Sequence, residues 1–292
     1  MRRKLPFYLA AALILSLLAG CGDPAAARTG SPASDPLPAG TDPVLSNPET
    51  TPGSIPEATP EPTPEPTPLW WPAYEFGAPV EESEPVEDDS FFDNAVFLGD
   101  SRTGGLELYS GLKHGTYYWA QGMSVFRVDS EDSKVFSIDG EDYTLLGALS
   151  LRSYDAVYIM MGVNELGYPV ASYESALSKL VDRVLAAQPE AVVYLQILPP
   201  LNDAMCRAKG LAYYINSDNL RAFNEVIQRV AAEKKVALLN VAEVYADEDG
   251  QLPEKLSYDG CHFVYGAYSR WANYLRSHTI DRERYFYSRE QA

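Results

Sequence analysis

The segment Ala95-Val-Phe-Leu-Gly-Asp-Ser101 joins a short apolar run to a polar turn, and residues 102–112 after it are compatible with a helix. An apolar run that stops at such a turn is typical of a buried strand. Similar runs follow at 117–120, 156–161, 191–197 and 236–239. Helical patterns lie between or after them, at 143–151, 172–187, 220–234 and 264–278. This alternation predicts an α/β fold with a five-stranded parallel sheet that helices cover on both faces.

Residues 1–21 have the organisation of a secretory signal. Basic residues begin the chain, an apolar run covers 9–18, and small residues precede Cys21. The apolar run is too short for a membrane span. The end of the segment resembles the lipobox of bacterial lipoproteins, which implies a lipidated Cys21 that anchors the protein outside the cytoplasm. Ordinary cleavage and release, with Cys21 incidental, is the alternative.

Residues 22–89 are predicted to form a disordered linker. They hold 16 prolines, 14 acidic residues and one basic residue. Proline restricts φ and removes a backbone donor, while repeated like charges extend a chain. The predicted organisation is therefore a signal segment at 1–21, a linker at 22–89 and a folded domain at 90–292.

Charge and cysteine content exclude two kinds of function. The formal net charge is −18, most of it in the linker, and nucleic acid binding needs clustered Lys and Arg. We therefore expect no nucleic acid partner. The three cysteines, Cys21, Cys206 and Cys261, form no Cys-x-x-Cys pair, and we expect neither a metal nor another cofactor.

Ser101, at the start of the helix after the first strand, is a candidate nucleophile. The helix dipole favours negative charge at this position, but a serine nucleophile also needs a base. Of the three histidines, His114, His262 and His278, only His262 has an aspartate, Asp259, three residues before it. A carboxylate on one ring nitrogen would leave the other to accept the serine proton. The alternative is that this pair only stabilises a turn.

Two further residues offer hydrogen-bond donors where strands end. Gly122 follows the second predicted strand with a backbone N–H, and Asn164 follows the third with a side-chain amide. Both residue types are common in ordinary turns. The carboxyl ends of parallel strands, however, form the usual ligand-binding edge of such a sheet.

Four segments, taken in order, resemble the four blocks of the SGNH hydrolases, the GDSL-like esterase and lipase superfamily. They are Leu98-Gly-Asp-Ser-Arg102, Gly122, Gly162-Val-Asn-Glu165 and Asp259-Gly-Cys-His262. The resemblance covers about residues 91–285. It implies a flavodoxin-like three-layer α/β/α sandwich.

The resemblance also implies a role for each matching residue. Ser101 would be the nucleophile, His262 the base and Asp259 its orienting acid. The N–H groups of Ser101 and Gly122 and the amide of Asn164 would bind the oxyanion. Arg102 stands where the family signature has leucine, and Glu165 where the third block usually has aspartate. These departures leave the subfamily, and hence the substrate, open.

The expected protein is an extracytoplasmic, lipid-anchored serine esterase that acts on short-chain esters such as acetyl esters. Its expected partner is an acylated small molecule or an acetylated glycan, and the chain is expected to be a monomer that contacts the membrane only through its lipid. A carbohydrate O-acetyltransferase and a non-catalytic glycan-binding module are the alternatives. Outside the cytoplasm Cys206 and Cys261 are able to form a disulfide, although their spacing does not show whether they are close.

Overall fold

The computed structural model describes residues 72–292, so the predicted signal segment, Cys21 and the linker up to residue 71 lie outside the described residues. The strands of the main sheet are β1 (Ala95–Gly99), β2 (Thr116–Trp119), β5 (Ala156–Met160), β6 (Val192–Gln196) and β7 (Ala237–Leu239). A short antiparallel hairpin is formed by β3 (Phe136–Ile138) and β4 (Glu141–Tyr143). The main sheet is parallel throughout, in the order β2-β1-β5-β6-β7. The predicted five-stranded parallel sheet is therefore confirmed.

Helices cover the sheet. They are α1 (Ser101–Tyr109), α2 (Leu145–Leu149), α3 (Val170–Ala187), α4 (Asp203–Ala208), α5 (Ser217–Glu233), α6 (Tyr268–Ser277) and α7 (Arg282–Gln291). Helix α1 packs with α6, and α3 packs with α5, so two helical layers enclose the strands. All residues of β1 and β6 are buried, which explains why these strands are continuous apolar runs. The result is the α/β sandwich predicted from the alternation of elements.

Helix α1 approaches its neighbours closely through two glycines. A Cβ atom at Gly104 would lie 2.5 Å from the Trp119 ring, and one at Gly105 would lie 2.0 Å from the Tyr268 ring. Glycine is unfavourable inside a helix, but here it removes a steric clash. The two glycines therefore hold the helix that begins at Ser101 close to β2 on one side and to α6 on the other.

The folded region begins earlier than the sequence predicted. Residues 72–89, which were assigned to the linker, pack against the domain. Tyr74 and Val80 are buried, and the N–H of Val80 donates to the carbonyl of Leu238 at 2.8 Å. The side chain of Arg276 pairs with both oxygens of Asp89 at 2.7 and 2.8 Å. The boundary at residue 89 was wrong because composition marks proline-rich sequence but not the few apolar side chains that a sheet edge can bury.

Three short elements were not predicted. The hairpin of β3 and β4 covers residues 136–143, where the sequence carries little apolar periodicity. Helix α4 has six residues and begins after Asn202, whose side chain accepts from the N–H of Met205. Helix α7 is mostly polar and buries only Tyr285 and Ser288. Short or polar elements give no periodic signal, so only their tertiary contacts define them.

No helix within residues 72–292 combines the length and apolar character needed to cross a membrane.

Candidate active site

Ser101 lies at a sharp change of direction between β1 and α1. A Cβ atom at Gly99 would lie 1.9 Å from Oγ1 of Thr103, so the strand can enter the helix this tightly only with glycine there. Asp100 caps the helix, because its side chain accepts from the N–H of Arg102 at 2.9 Å. The cap leaves Ser101, which is half-buried, as the first helical residue, where N–H groups have no partner within the helix.

The predicted base and acid meet the predicted nucleophile. Oγ of Ser101 lies 3.0 Å from Nε2 of His262, and Nδ1 of His262 lies 2.8 Å from Oδ2 of Asp259. The other oxygen of Asp259 accepts from the backbone N–H groups of Cys261 and His262, at 2.8 and 2.7 Å. The structure therefore joins the three side chains in one hydrogen-bonded relay. With Nδ1 donating to the carboxylate, Nε2 is left to accept the serine proton.

The charge of Asp259 suits this arrangement. Burial alone would raise the pKa of its carboxyl, but the hydrogen bonds from the His262 ring and from the backbone N–H groups of His262 and Cys261 lower it to about 2. The carboxylate is therefore ionised at neutral pH. An ionised partner stabilises the imidazolium that forms when the histidine takes a proton.

The two predicted oxyanion donors lie on loops that follow the strands on either side of β1. Gly122 is exposed in the turn after β2, with a φ of +69° that favours glycine. Asn164 is exposed after β5, and its amide nitrogen lies 2.9 Å from the Met123 carbonyl and 3.4 Å from Oδ2 of Asp100. The side chain of Asn164 thus connects the Gly122 loop to the turn that presents Ser101.

Glu165 holds one of these loops through a buried hydrogen bond. The sequence did not predict this role. Its side chain is fully buried, and Oε1 accepts from the N–H of Val125 at 2.9 Å. Among residues 72–292, Oε2 has no hydrogen-bond partner. Burial raises the pKa of Glu165 to about 7. The only sequence signal was its place beside Asn164, where it was noted as a departure from the family pattern.

Arg102 is the second side chain whose role was not predicted. It is fully buried, and its guanidinium donates to the carbonyl of Cys261 from Nε and Nη2, at 3.2 and 3.0 Å, and to the carbonyl of Pro199 at 3.3 Å. It also lies over the ring of Phe263 at 5.7 Å. Although burial alone would lower the pKa of Arg102, the neighbouring Cys261 and Asp100 raise it. This charged side chain therefore fastens the start of α1 to the loop that carries His262.

Cys206 and Cys261 do not form the disulfide that the sequence left open. Both thiols are buried and free, and Sγ of Cys261 lies 3.5 Å from Nη2 of Arg102. Hydrogen bonds join the two loops instead, since the N–H of Asn202 donates to the carbonyl of Gly260 at 2.8 Å. Burial raises the pKa of both thiols, that of Cys206 to about 11, so neither is a thiolate at neutral pH.

The other histidines lie elsewhere. Nδ1 of His114 is 2.6 Å from the carboxylate of Asp93, and His278 is buried at the end of α6, where its Nδ1 contacts the Tyr274 carbonyl at 2.9 Å. Neither takes part in the relay. The structure therefore places His262, rather than either of the other two histidines, beside Ser101.

The sheet, the serine after β1 and the histidine–aspartate pair in a late loop form the arrangement expected of an ester hydrolase that uses a serine. A protein-family model described as the GDSL-like Lipase/Acylhydrolase family matches residues 97–269, and the chain belongs to this family. The resemblance to the SGNH hydrolases is thereby confirmed. The protein is an enzyme that hydrolyses ester bonds.

Several solved structures are similar to this chain in fold, at low sequence identity. A candidate platelet activating factor from Streptococcus pneumonia is 22% identical, with a TM-score of 0.49 over 63% of this chain and 82% of that one. A GDSL-like lipase from Bacteroides thetaiotaomicron is 14% identical, with a TM-score of 0.47 over 66% of this chain and 89% of that one. A candidate lipolytic protein of the G-D-S-L family from Desulfitobacterium hafniense is 16% identical, with a TM-score of 0.46 over 63% and 98%. No curated protein matches the sequence.

Proposed function

We propose that the ester hydrolysis proceeds by acyl transfer to Ser101. Oγ of Ser101 attacks the ester carbonyl carbon while Nε2 of His262 takes its proton. Collapse of the tetrahedral intermediate breaks the bond to the alcohol, which leaves with that proton. Water then attacks the acyl-serine by the same route and releases the acid. The observation that carries this proposal is the relay of 3.0 Å from Ser101 to His262 and 2.8 Å from His262 to Asp259.

In this proposal three donors stabilise the oxyanion of the tetrahedral intermediate. They are the N–H of Ser101 at the start of α1, the N–H of Gly122 and the amide of Asn164. Donors held in place before the reaction stabilise developing charge without reorganisation. The amide of Asn164 donates to the Met123 carbonyl at 2.9 Å and to Asp100 at 3.4 Å, and in this proposal it exchanges the longer of these two hydrogen bonds for one to the oxyanion.

The substrate we propose is a short acyl ester, such as an acetyl ester, carried by a glycan. The side chain of His262 is 41% exposed and that of Asp259 is 27% exposed, so the relay is open to solvent. An open site admits an ester on a large molecule, whereas a long acyl chain gains most from an enclosed apolar pocket. The same proposal places the enzyme outside the cytoplasm, anchored through Cys21, on the evidence of the basic, apolar and cysteine-terminated segment 1–21.

Replacing the nucleophile tests the reaction directly. In Ser101→Ala we expect kcat on p-nitrophenyl acetate to fall by roughly 10⁴-fold or more, because the acyl-serine can no longer form. The exposed Ser175→Ala on α3 is the matched control and should keep wild-type activity. A series of esters from acetyl to octanoyl should show the highest kcat/KM for the shortest chains. Release of free acetate, rather than an acetylated sugar, separates hydrolysis from transfer.

Two results would contradict the proposal. Undiminished turnover in Ser101→Ala would remove Ser101 as nucleophile. Failure of the wild-type protein to react with a fluorophosphonate probe would favour a binding module without catalytic activity.

A further inference from the structure

Three exposed tyrosines contact one another beside the relay. Tyr109, Tyr258 and Tyr265 are 43%, 46% and 58% exposed. The ring of Tyr265 lies 4.3 Å from that of Tyr109 and 5.5 Å from that of Tyr258, measured between centroids. We call these three residues the tyrosine platform. Exposed aromatic clusters mark binding surfaces more often than isolated exposed rings do.

The tyrosine platform is continuous with both segments that carry the relay. Tyr258 directly precedes Asp259, and its N–H donates to the carbonyl of His262 at 3.0 Å. Tyr265 lies three residues after His262. Tyr109 is the last residue of α1, which begins at Ser101. A ligand on the tyrosine platform would therefore lie next to the loop that carries His262 and Asp259.

The tyrosine platform rests on a buried aromatic base. Tyr109 contacts the ring of Tyr268 at 5.9 Å, and Tyr268 contacts Phe263 at 5.2 Å. Phe263 in turn stacks on Tyr245 at 4.0 Å. Tyr268, Phe263 and Tyr245 are all at most 3% exposed. The platform is thus held in place without a ligand, which lowers the entropy that binding would cost.

The chemistry of the tyrosine platform fits a neutral sugar ring. A tyrosine offers an apolar ring face and a hydroxyl that donates and accepts hydrogen bonds. A pyranose has the matching combination, an apolar face of C–H groups and an edge of hydroxyls. A tyrosine side chain has no cationic form, so the three platform residues supply no cation for a phosphate or carboxylate. Its exposure offers no enclosed surface for an alkyl chain.

We propose that the tyrosine platform is a sugar-binding subsite that holds one neutral ring of the glycan while a neighbouring acyl ester lies at Ser101. This inference rests on the proposed function, because it names the part of the substrate that the platform would bind. It also explains how an open site could select a glycan ester over a small ester of the same acyl group.

The test compares a glycan ester with a small ester in the double variant Tyr258→Ala/Tyr265→Ala. With O-acetylated chitotetraose as the probe, we expect kcat/KM to fall about tenfold, mainly through KM, because two aromatic contacts are lost. With p-nitrophenyl acetate we expect no more than about a twofold change, because this ester does not reach the platform. Tyr287→Ala, a 37% exposed tyrosine on α7, is the matched control and should leave both rates unchanged. An equal loss on both esters would overturn the subsite.

A binding measurement separates the subsite from the proposed reaction. Chitotetraose is titrated by NMR into the Ser101→Ala protein with and without the two tyrosine substitutions. If chitotetraose binds and the two tyrosine substitutions weaken its binding, the subsite is supported. This holds even if the acetylated probe is not cleaved, a result that would contradict only the proposed glycan substrate. Absent binding, or binding that the substitutions leave unchanged, overturns the subsite while the reaction of Ser101 with small esters stands.

Discussion

Asp100 and Glu165 are buried carboxyl groups next to the loops of the proposed oxyanion donors. A negative charge here would oppose the developing oxyanion, and burial raises the pKa of both groups. Glu165 contacts the backbone of the Gly122 loop through Val125, and Asp100 caps the helix of Ser101. Burial disfavours the charged form of each group, and each accepts a backbone N–H hydrogen bond that holds its loop. We infer that these two residues maintain the shape of the site through these hydrogen bonds.

Because of Glu165, the free energy of unfolding should fall as pH rises. Its folded-state pKa of about 7 exceeds the ordinary value of 4.5, so the folded protein keeps a proton between these values that the unfolded chain has lost. Stability should therefore fall as pH rises from about 5 to 7, and the penalty should be fully present above pH 7. In Glu165→Gln this penalty disappears, and between pH 5 and 8 the wild type should lose about 2.5 kcal/mol relative to the variant.

Urea unfolding at pH 5, 6, 7 and 8 measures this difference. The exposed Glu81→Gln is the control and should follow the wild-type pH dependence. A Glu165→Gln protein whose stability changes with pH as much as that of the wild type would show that Glu165 does not titrate in this range.

At the scale of elements, Arg102 connects parts of the fold that are distant in sequence. Its guanidinium joins the start of α1 to the carbonyl of Cys261 and to that of Pro199, which follows β6. A leucine, the residue of the family signature, could fill this space but could not satisfy the two buried carbonyls. The departure at Arg102 is therefore part of how this chain holds the loop of His262 against Ser101.

The segment before the domain completes the edge of the sheet. Pro79 bridges to Leu238 of β7, and Tyr74 accepts from the N–H of Leu238 at 3.1 Å. A sheet edge left open exposes unpaired backbone groups and invites aggregation. The segment 74–80 pairs part of this edge and buries two side chains, Tyr74 and Val80, over it. It therefore belongs to the fold, although its composition is that of a linker.

Removing this segment should destabilise the domain. The chain that starts at residue 90 loses the burial of Tyr74 and Val80, about 1.5–3 kcal/mol for each. We expect its Tm to lie at least about 5 °C below that of the chain that starts at residue 72. The chain that starts at residue 22 is the control, and its Tm should equal that of the chain that starts at residue 72. Equal melting temperatures for the chains starting at 72 and 90 would place the boundary at 89 after all.

At the scale of the whole molecule, a proline-rich segment lies in sequence between Cys21 and the residues that pack into the domain. Residues 22–71, which separate Cys21 from the domain in sequence, hold 13 prolines, seven acidic side chains and one basic one. Charge repulsion and proline both favour extension of such a sequence. The proposed function gives this segment the role of a spacer between a lipid anchor and an open active site, which would let the site reach an ester on a large molecule.

The anchor is tested by fractionation of cells that express the full chain. We expect the wild-type protein in the membrane fraction and Cys21→Ser in the soluble fraction, because acyl chains on Cys21 would supply the membrane affinity. Cys206→Ser, at a buried cysteine of the domain, should remain with the membrane. A Cys21→Ser protein that still sediments with membranes would contradict lipid attachment at this position.

Much of the fold and of the candidate site could be predicted from local patterns. Apolar runs between helical patterns are sufficient for the parallel sheet, because strands buried on both faces must be apolar along their length. The hydrogen-bonded set Ser101, His262 and Asp259 could be found because one histidine of three has an aspartate within local reach. The sequence alone therefore determined the class of fold, the family and the candidate relay.

Only the tertiary structure showed which side chains hold these residues in position. Arg102 and Glu165 are charged residue types at positions that a pattern would assign to solvent, and their burial depends on partners from distant loops. The packing of residues 74–80 on the sheet edge, the free thiols of Cys206 and Cys261 and the tyrosine platform likewise depend on contacts between segments far apart in sequence. Local sequence specifies which elements form, but packing decides which side chains meet, because burial and hydrogen bonding are satisfied only once the elements are assembled.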